Sequence, residues 1–200
     1  MVSSTIEVIG KGAEAYIYKE GECAVKAREK KDYRHPALDL ALRKKRAKKE
    51  MTALRKCYEA GIPCPRPISL SESTIIMEYV GGVRLSEIFE TESQTSKKKY
   101  AQECGRLLAR MHSIGICHGD YALTNLIYSN GVVRPIDFGL CEFSTYHEKK
   151  AADLAVMYSS LGDREVFNAF IESYKKEYAD SAQVIARFEK NLTRGRYKKR

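Results

Sequence analysis

Tryptophan is absent from this 200-residue chain, and proline occurs only five times. No stretch of about eighteen consecutive apolar residues exists, so the sequence offers no membrane-spanning helix. Apolar residues near the N-terminus alternate rather than run together, which argues against a signal peptide. The six cysteines (Cys23, Cys57, Cys64, Cys104, Cys117 and Cys141) contain no C-x-x-C pair. That spacing excludes the common zinc motifs and speaks against a disulfide framework; it fits buried thiols in a reducing compartment. The expected location is therefore cytoplasmic, and also nuclear if the source is eukaryotic. Internal repeats and low-complexity tracts are missing too. What remains is an ordinary 44% hydrophobic content, sufficient for one compact domain or two small lobes.

Positive charge is plentiful and uneven. The net charge is +9, yet residues 28–49 alone hold ten Lys/Arg against three acids, and residues 194–200 hold five Lys/Arg and no acid. The rest of the chain is mildly acidic. Basic segments on an acidic body suggest polyanion contact, most plausibly with nucleic acid; a solvated helix face and a nuclear-localisation tail are the plainer readings. Arg194, Arg196, Lys198, Lys199 and Arg200 are the tail residues expected to meet nucleic acid or a protein partner.

Chemistry concentrates in an ordered set. His118-Gly119-Asp120 is followed five residues later by Asn125, and twelve residues after that by Asp137 of Ile136-Asp137-Phe138-Gly139. Phosphoryl transfer from ATP needs these groups: one Asp to orient the attacking hydroxyl, an Asn and a second Asp to hold Mg²⁺. Asp120 is thus one catalytic candidate, Lys26 upstream the other, and Asn125 and Asp137 the metal ligands. Ser129-Asn130-Gly131 between alternating apolar runs predicts a hairpin that sets Asn125 and Asp137 at adjacent strand ends.

Upstream, Ile9-Gly10-Lys11-Gly12-Ala13-Glu14-Ala15 reads as a glycine hairpin over phosphates, with Ala15 where a third glycine is common. A third strand, Glu22 to Lys26, brings Ala24 under the nucleotide and Lys26 to the phosphates. Glu50 is the expected carboxylate partner of Lys26. It lies in a helix predicted from about Ala37 to Ala60, opened by Pro36 and ended by Gly61, with Leu42, Leu54 and Tyr58 on a buried face. Two more strands lead to Gly81-Gly82, with Met77 as gatekeeper and backbone groups of Glu78 and Val80 at the adenine edge.

The predicted organisation is an N-lobe at 1–81, a C-lobe at 82–193 and a basic tail at 194–200. Gln94 to Gly115 carries Tyr100, Cys104, Leu107, Leu108 and Met111 at helical spacing. Three further helices are expected near 148–161, 163–178 and 180–192. Asp153 follows Asp137 by only sixteen positions, with no Ala-Pro-Glu between them, so the activation segment is truncated. Asp153 reads either as a bond to the catalytic-loop backbone or as a helix N-terminal acid. His118 is assigned a packing role, His35, His112 and His147 an ordinary state, and Tyr121 plain packing.

The Gly-Ala-Glu-Ala loop, Tyr33-Arg34-His35-Pro36-x-Leu38-Asp39, His118-Gly119-Asp120 with Asn125, Ile136-Asp137-Phe138-Gly139-Leu140 and Arg194-Gly195-Arg196 together resemble the small RIO-like kinase subunit of the KEOPS complex. The resemblance implies an α+β, protein-kinase-like bilobal fold: a small antiparallel β N-lobe with one long helix, and a mainly α-helical C-lobe. It implies an atypical Ser/Thr protein kinase and ATPase using ATP and Mg²⁺. Its implied partners are a threonylcarbamoyltransferase subunit, other KEOPS subunits and tRNA. The implied process is threonylcarbamoyladenosine formation at position 37 of tRNAs reading ANN codons. Two other readings stand beside it: a small-molecule kinase of the aminoglycoside or choline type, and a tRNA-binding scaffold of minor catalytic activity.

Overall fold

The computed structural model describes residues 7–11 and 15–194. Its first part is a five-stranded antiparallel sheet: β1 (Glu7–Lys11), β2 (Ala15–Glu20), β3 (Cys23–Arg28), β4 (Pro67–Ser71) and β5 (Thr74–Glu78), ordered β1-β2-β3-β5-β4. The long helix α1 (Pro36–Glu59) sits between β3 and β4 in sequence and packs on β4 and β5. Alternation decides which side chains face inward. Ala24, Lys26 and Arg28 are buried on one side of β3, with Ala24 opposite Met77 and Lys26 opposite Ile75.

Pro36 opens α1, where its missing N–H has no helical partner to lose, and the chain turns away at Gly61 with φ +68°. The apolar face expected on this helix needs correction. Leu54 is buried, but Leu42 is half-buried and Tyr58 is exposed. The face that turns inward holds Ala47, Glu50, Met51, Leu54 and Cys57, with Asp39 in the first turn. Two of its members are carboxylates neutralised by cations, so counting apolar residues undercounts the face. Asp39 accepts from Arg43 Nε at 2.7 Å and from the Lys31 N–H at 3.3 Å, and lies 3.7 Å from Arg34 Nη1. The Arg43 bond first, with the Lys31 N–H and both guanidinium charges, holds its carboxyl below the usual range despite desolvation. This clamp is the structural content of the Tyr-Arg-His-Pro-x-Leu-Asp segment.

The second part is mainly helical. β6 (Val83–Arg84) and α2 (Leu85–Ile88) lead to α3 (Gln94–Ser113); β7 (Ile116–Cys117), β8 (Leu126–Ser129), β9 (Val132–Pro135) and β10 (Glu142–Phe143) follow; α4 (His147–Leu161), α5 (Arg164–Glu177) and α6 (Ser181–Thr193) complete it. α3 starts at Ser93, whose hydroxyl accepts from the Ser96 N–H, and α5 at Asp163, which accepts from Glu165 and Val166. Cys104, Leu107, Leu108 and Met111 of the predicted stripe are buried, and Tyr100 is half-buried. At Gly105 the α3 backbone meets α5: a Cβ there would lie 2.3 Å from the Phe170 carbonyl oxygen. The β8–β9 turn uses Asn130 (φ +51°) and Gly131 (φ +81°), the left-handed pair that a tight hairpin requires. All six cysteines are free; Cys57, Cys64, Cys104, Cys117 and Cys141 are buried and Cys23 is half-buried. No described helix is long and apolar enough to cross a membrane.

Candidate active site

Lys26 is the centre of the site. β3 directs it inward, and its ammonium lies 2.7 Å from Glu50 Oε1 and 2.6 Å from Asp137 Oδ1. Burial disfavours its charge, but the Glu50 and Asp137 carboxylates outweigh burial and raise its pKa above the ordinary lysine value. Asp137 shows the mirror image: burial pushes its carboxyl up, and the Lys26 ammonium more than reverses that, so its pKa falls. Asp137 is one of the few non-glycine residues with positive φ (+60°), and its Oδ1 also accepts from the Gly139 N–H at 3.1 Å. A side chain held in the left-handed region is a strained, locally enforced feature.

The catalytic-loop residues lie beside it. Asn125 donates from Nδ2 to the Asp120 carbonyl at 3.0 Å and to Asp120 Oδ2 at 2.8 Å. The Ile136 N–H donates to the Asn125 carbonyl at 2.9 Å, which joins the strand end before Asp137 to Asn125. These bonds are what the hairpin accomplishes. His118 is buried, with Nε2 3.1 Å from the Ile136 carbonyl and its ring against Phe138 and Tyr121. Tyr121 is fully buried and donates to the Cys104 carbonyl at 2.9 Å.

Asp153 resolves in favour of the loop-binding alternative. It lies in the second turn of α4, accepting from the His118 N–H at 2.8 Å and the Gly119 N–H at 2.7 Å. His112 is not ordinary, which corrects the sequence reading. It is fully buried, with Nε2 3.1 Å from Asp153 Oδ2 and Nδ1 2.7 Å from the Tyr174 hydroxyl. Burial lowers its pKa below the usual histidine value, Asp153 offsetting only part of that. His112, Cys117 and Asp153 lie close enough together to hold a metal ion. However, Asp153 already serves two backbone N–H groups, and burial pushes the Cys117 thiol up to about 12. The cluster reads as a support for the catalytic loop.

A cleft opens over this constellation. Ile9, Ile17, Ala24, Met77, Val80, Ile127 and Ile136 line it, with Lys26, Asn125 and Asp137 among its polar groups. Glu78 also lines it, and its N–H donates to the Arg66 carbonyl at 2.9 Å. Arg84, which the sequence did not single out, borders the cleft and donates to the Thr124 carbonyl at 2.7 Å. Gly10 sits in β1 beside Ile17, and the Lys11 backbone pairs with Tyr16. Gly12, Ala13 and Glu14, expected at the phosphates, lie outside the described residues, as do tail residues Arg196, Lys198, Lys199 and Arg200. Arg194 ends the described chain, exposed, just after α6.

Known proteins resemble this chain in sequence and in fold. The RIO domain profile matches residues 13–155. A protein of Pyrococcus abyssi named KEOPS complex subunit Bud32 is 32% identical over 98% of both chains. The chain belongs to the Bud32 branch of the RIO domain family. Its relatives include a probable serine/threonine-protein kinase BUD32 homolog of Archaeoglobus fulgidus, 34% identical over 94% of this chain and 95% of that one. They also include a probable bifunctional tRNA threonylcarbamoyladenosine biosynthesis protein of Methanoculleus marisnigri, 31% identical over 94% of this chain but 36% of that longer one. Among solved structures, the Rio2 kinase–ADP/Mg²⁺–phosphoaspartate complex from Chaetomium thermophilum superimposes with a TM-score of 0.67 at 17% identity, covering 97% of this chain and 70% of that one. The kinase-like fold expected from the sequence is therefore the fold observed. Within a Bud32-family chain, the residue the sequence reading passed over is Arg28, two positions beyond Lys26 and on the same face of β3; the period of two was the available signal.

Proposed function

We propose that this chain is an ATP-dependent phosphotransferase and ATPase, acting as the kinase subunit of a KEOPS-type assembly that supports threonylcarbamoyladenosine formation in tRNA. One observation carries the enzymatic half: a buried lysine held 2.7 Å from a helix glutamate and 2.6 Å from Asp137, beside the bonded pair Asn125 and Asp120. The names of the relatives support the assembly and the tRNA modification.

The residues present fit a nucleotide and a hard divalent cation. The apolar walls suit a planar base. Glu78 has committed its N–H to Arg66, so it offers adenine its carbonyl, and the Val80 backbone stands two residues on. Asn125 gives its amide hydrogens to Asp120, so the atom it offers a cation is its carbonyl oxygen, and Asp137 offers a carboxylate. Oxygen donors of this kind suit Mg²⁺, which Asn125 and Asp137 would hold and which would supply charge neutralisation to a bound polyphosphate. Lys26 anchors the phosphates. Asp120, held by Asn125, orients a water or a serine hydroxyl and accepts its proton. Asp153 and His112 keep the loop that carries Asp120 in place. Because the transition state is loose, positioning and charge complementarity supply most of the acceleration.

The test is release of labelled γ-phosphate from ATP by the wild type and Asp120→Ala, alone and with the transferase subunit and tRNA. Asp120-dependent release that rises with both additions supports the reading. Label transferred only to protein gives the kinase role the lead, and no release under any condition leaves a scaffold.

A further inference from the structure

Two cations hold Glu50, one on each oxygen. Lys26 lies 2.7 Å from Oε1, and Arg28 Nη2 lies 2.5 Å from Oε2. All three groups are buried. Arg28 also lies against the turn that carries Asp137: a Cβ on Gly139 would be 3.5 Å from Arg28 Nη2 and 3.6 Å from Lys26 Nζ. Among these groups two cations meet two carboxylates, and Lys26 is shared between Glu50 and Asp137.

We propose that Arg28 is a positioning residue of the phosphate site, fixing the Glu50 carboxylate so that Lys26 can turn to a bound polyphosphate. The proposal rests on the nucleotide-site reading above and adds to it. A buried carboxylate with a single cationic partner holds that partner tightly, because release leaves an uncompensated interior charge. With Arg28 on the second oxygen, Glu50 stays charge-paired when Lys26 shifts its hydrogen bonds. A guanidinium suits this position because it is permanently charged and planar and presents several donors, so it can grip Glu50 while packing beside Gly139. Arg28 acts through Glu50.

The experiment is calorimetric titration of the full chain with MgADP, alongside thermal unfolding, for the wild type, Arg28→Met, Arg28→Lys, Glu50→Gln and the double variant Arg28→Met/Glu50→Gln. Arg28→Met, which keeps the packing stem, is expected to weaken MgADP binding about tenfold, on the order of one charge-assisted hydrogen bond. Arg28→Lys recovers part of that loss. The double variant binds no more weakly than Glu50→Gln alone, since the Glu50 carboxylate through which Arg28 acts is then already gone. A lowered melting temperature with wild-type affinity in Arg28→Met overturns the positioning role and leaves a stabilising ion pair. Losses that add in the double variant overturn it as well. If Arg28→Met does not fold, Arg28→Gln takes its place under the same two criteria. Failure of the wild type to bind MgADP overturns the nucleotide site together with this proposal, whereas wild-type binding with unchanged Arg28 variants overturns this proposal alone.

Discussion

Asp137 is constrained in three ways: positive φ, an ion pair to Lys26 and a bond from the Gly139 N–H. Asp137→Ala removes the carboxylate without unfolding the chain, since the side chain is about half exposed at 46%. Its γ-phosphate release should fall at least 100-fold, as should that of Asp120→Ala, in line with the ~10²–10⁴ ascribed to a positioned base. Melting temperatures near wild type confirm that folding is intact, and wild-type turnover in Asp137→Ala sinks its metal assignment. His112 makes a different prediction. Its pKa is depressed below the ordinary histidine value of 6.5, so the folded state takes up a proton less readily than the unfolded chain. Its stabilising contribution is complete above pH 6.5 and is lost as pH falls towards its folded value. His118, depressed by the same burial, adds in the same direction. Urea midpoints measured at pH 7.5 and 5.5 should fall less in His112→Gln than in wild type, by up to about 1.4 kcal/mol per pH unit in stability. Equal losses would show that His112 does not contribute to the pH dependence.

At the scale of elements, two predictions from pattern met different fates. The Asn130-Gly131 turn forms because the left-handed conformation it needs is written into those residue types. The α1 face departs from its pattern because charge-paired Asp39 and Glu50 occupy positions where an apolar count expects leucine. Where helices cross, space becomes the constraint. α3 and α5 approach so closely at Gly105 that an added Cβ would meet the Phe170 backbone at 2.3 Å, and backbone cannot yield as a flexible side chain does. Gly105→Ala should therefore destabilise the chain by about 1–3 kcal/mol, the usual cost of overpacking. Thermal unfolding measures this; an unchanged melting temperature would show that the two helices separate freely. Lys26 lies in β3, outside both helices, so nucleotide affinity measured well below the transition should be retained.

For the whole molecule, charge is the property that reaches furthest. The basic segment at 28–49 is partly consumed within the fold: Arg28 binds Glu50, Arg34 and Arg43 serve Asp39, and Lys44 pairs with Glu72. That leaves the basic tail a larger share of any contact with RNA than the raw count suggests. Deleting residues 194–200 should weaken tRNA binding and flatten its dependence on salt, because each lost phosphate contact removes released counterions. The slope of log affinity against log salt, with and without those residues, is the measurement; identical slopes refute that role for the tail.

The sequence by itself determined the order of the chemical parts, because spacing along a chain is read directly: five residues from Asp120 to Asn125, twelve more to Asp137, a glycine hairpin and a strand lysine before them. It also determined the kinase-like fold class and the family. Tertiary structure alone decided which charges meet. Lys26 and Asp137 stand 111 positions apart in sequence and 2.6 Å apart in space. Asp153 supports a loop 34 residues away, and His112 becomes buried between it and Tyr174. Arg28 takes the second oxygen of Glu50 only because the fold brings β3 and α1, 22 positions apart at these residues, within reach of each other. Contacts at such separations depend on how elements pack, and single-residue patterns along the chain carry no record of that packing.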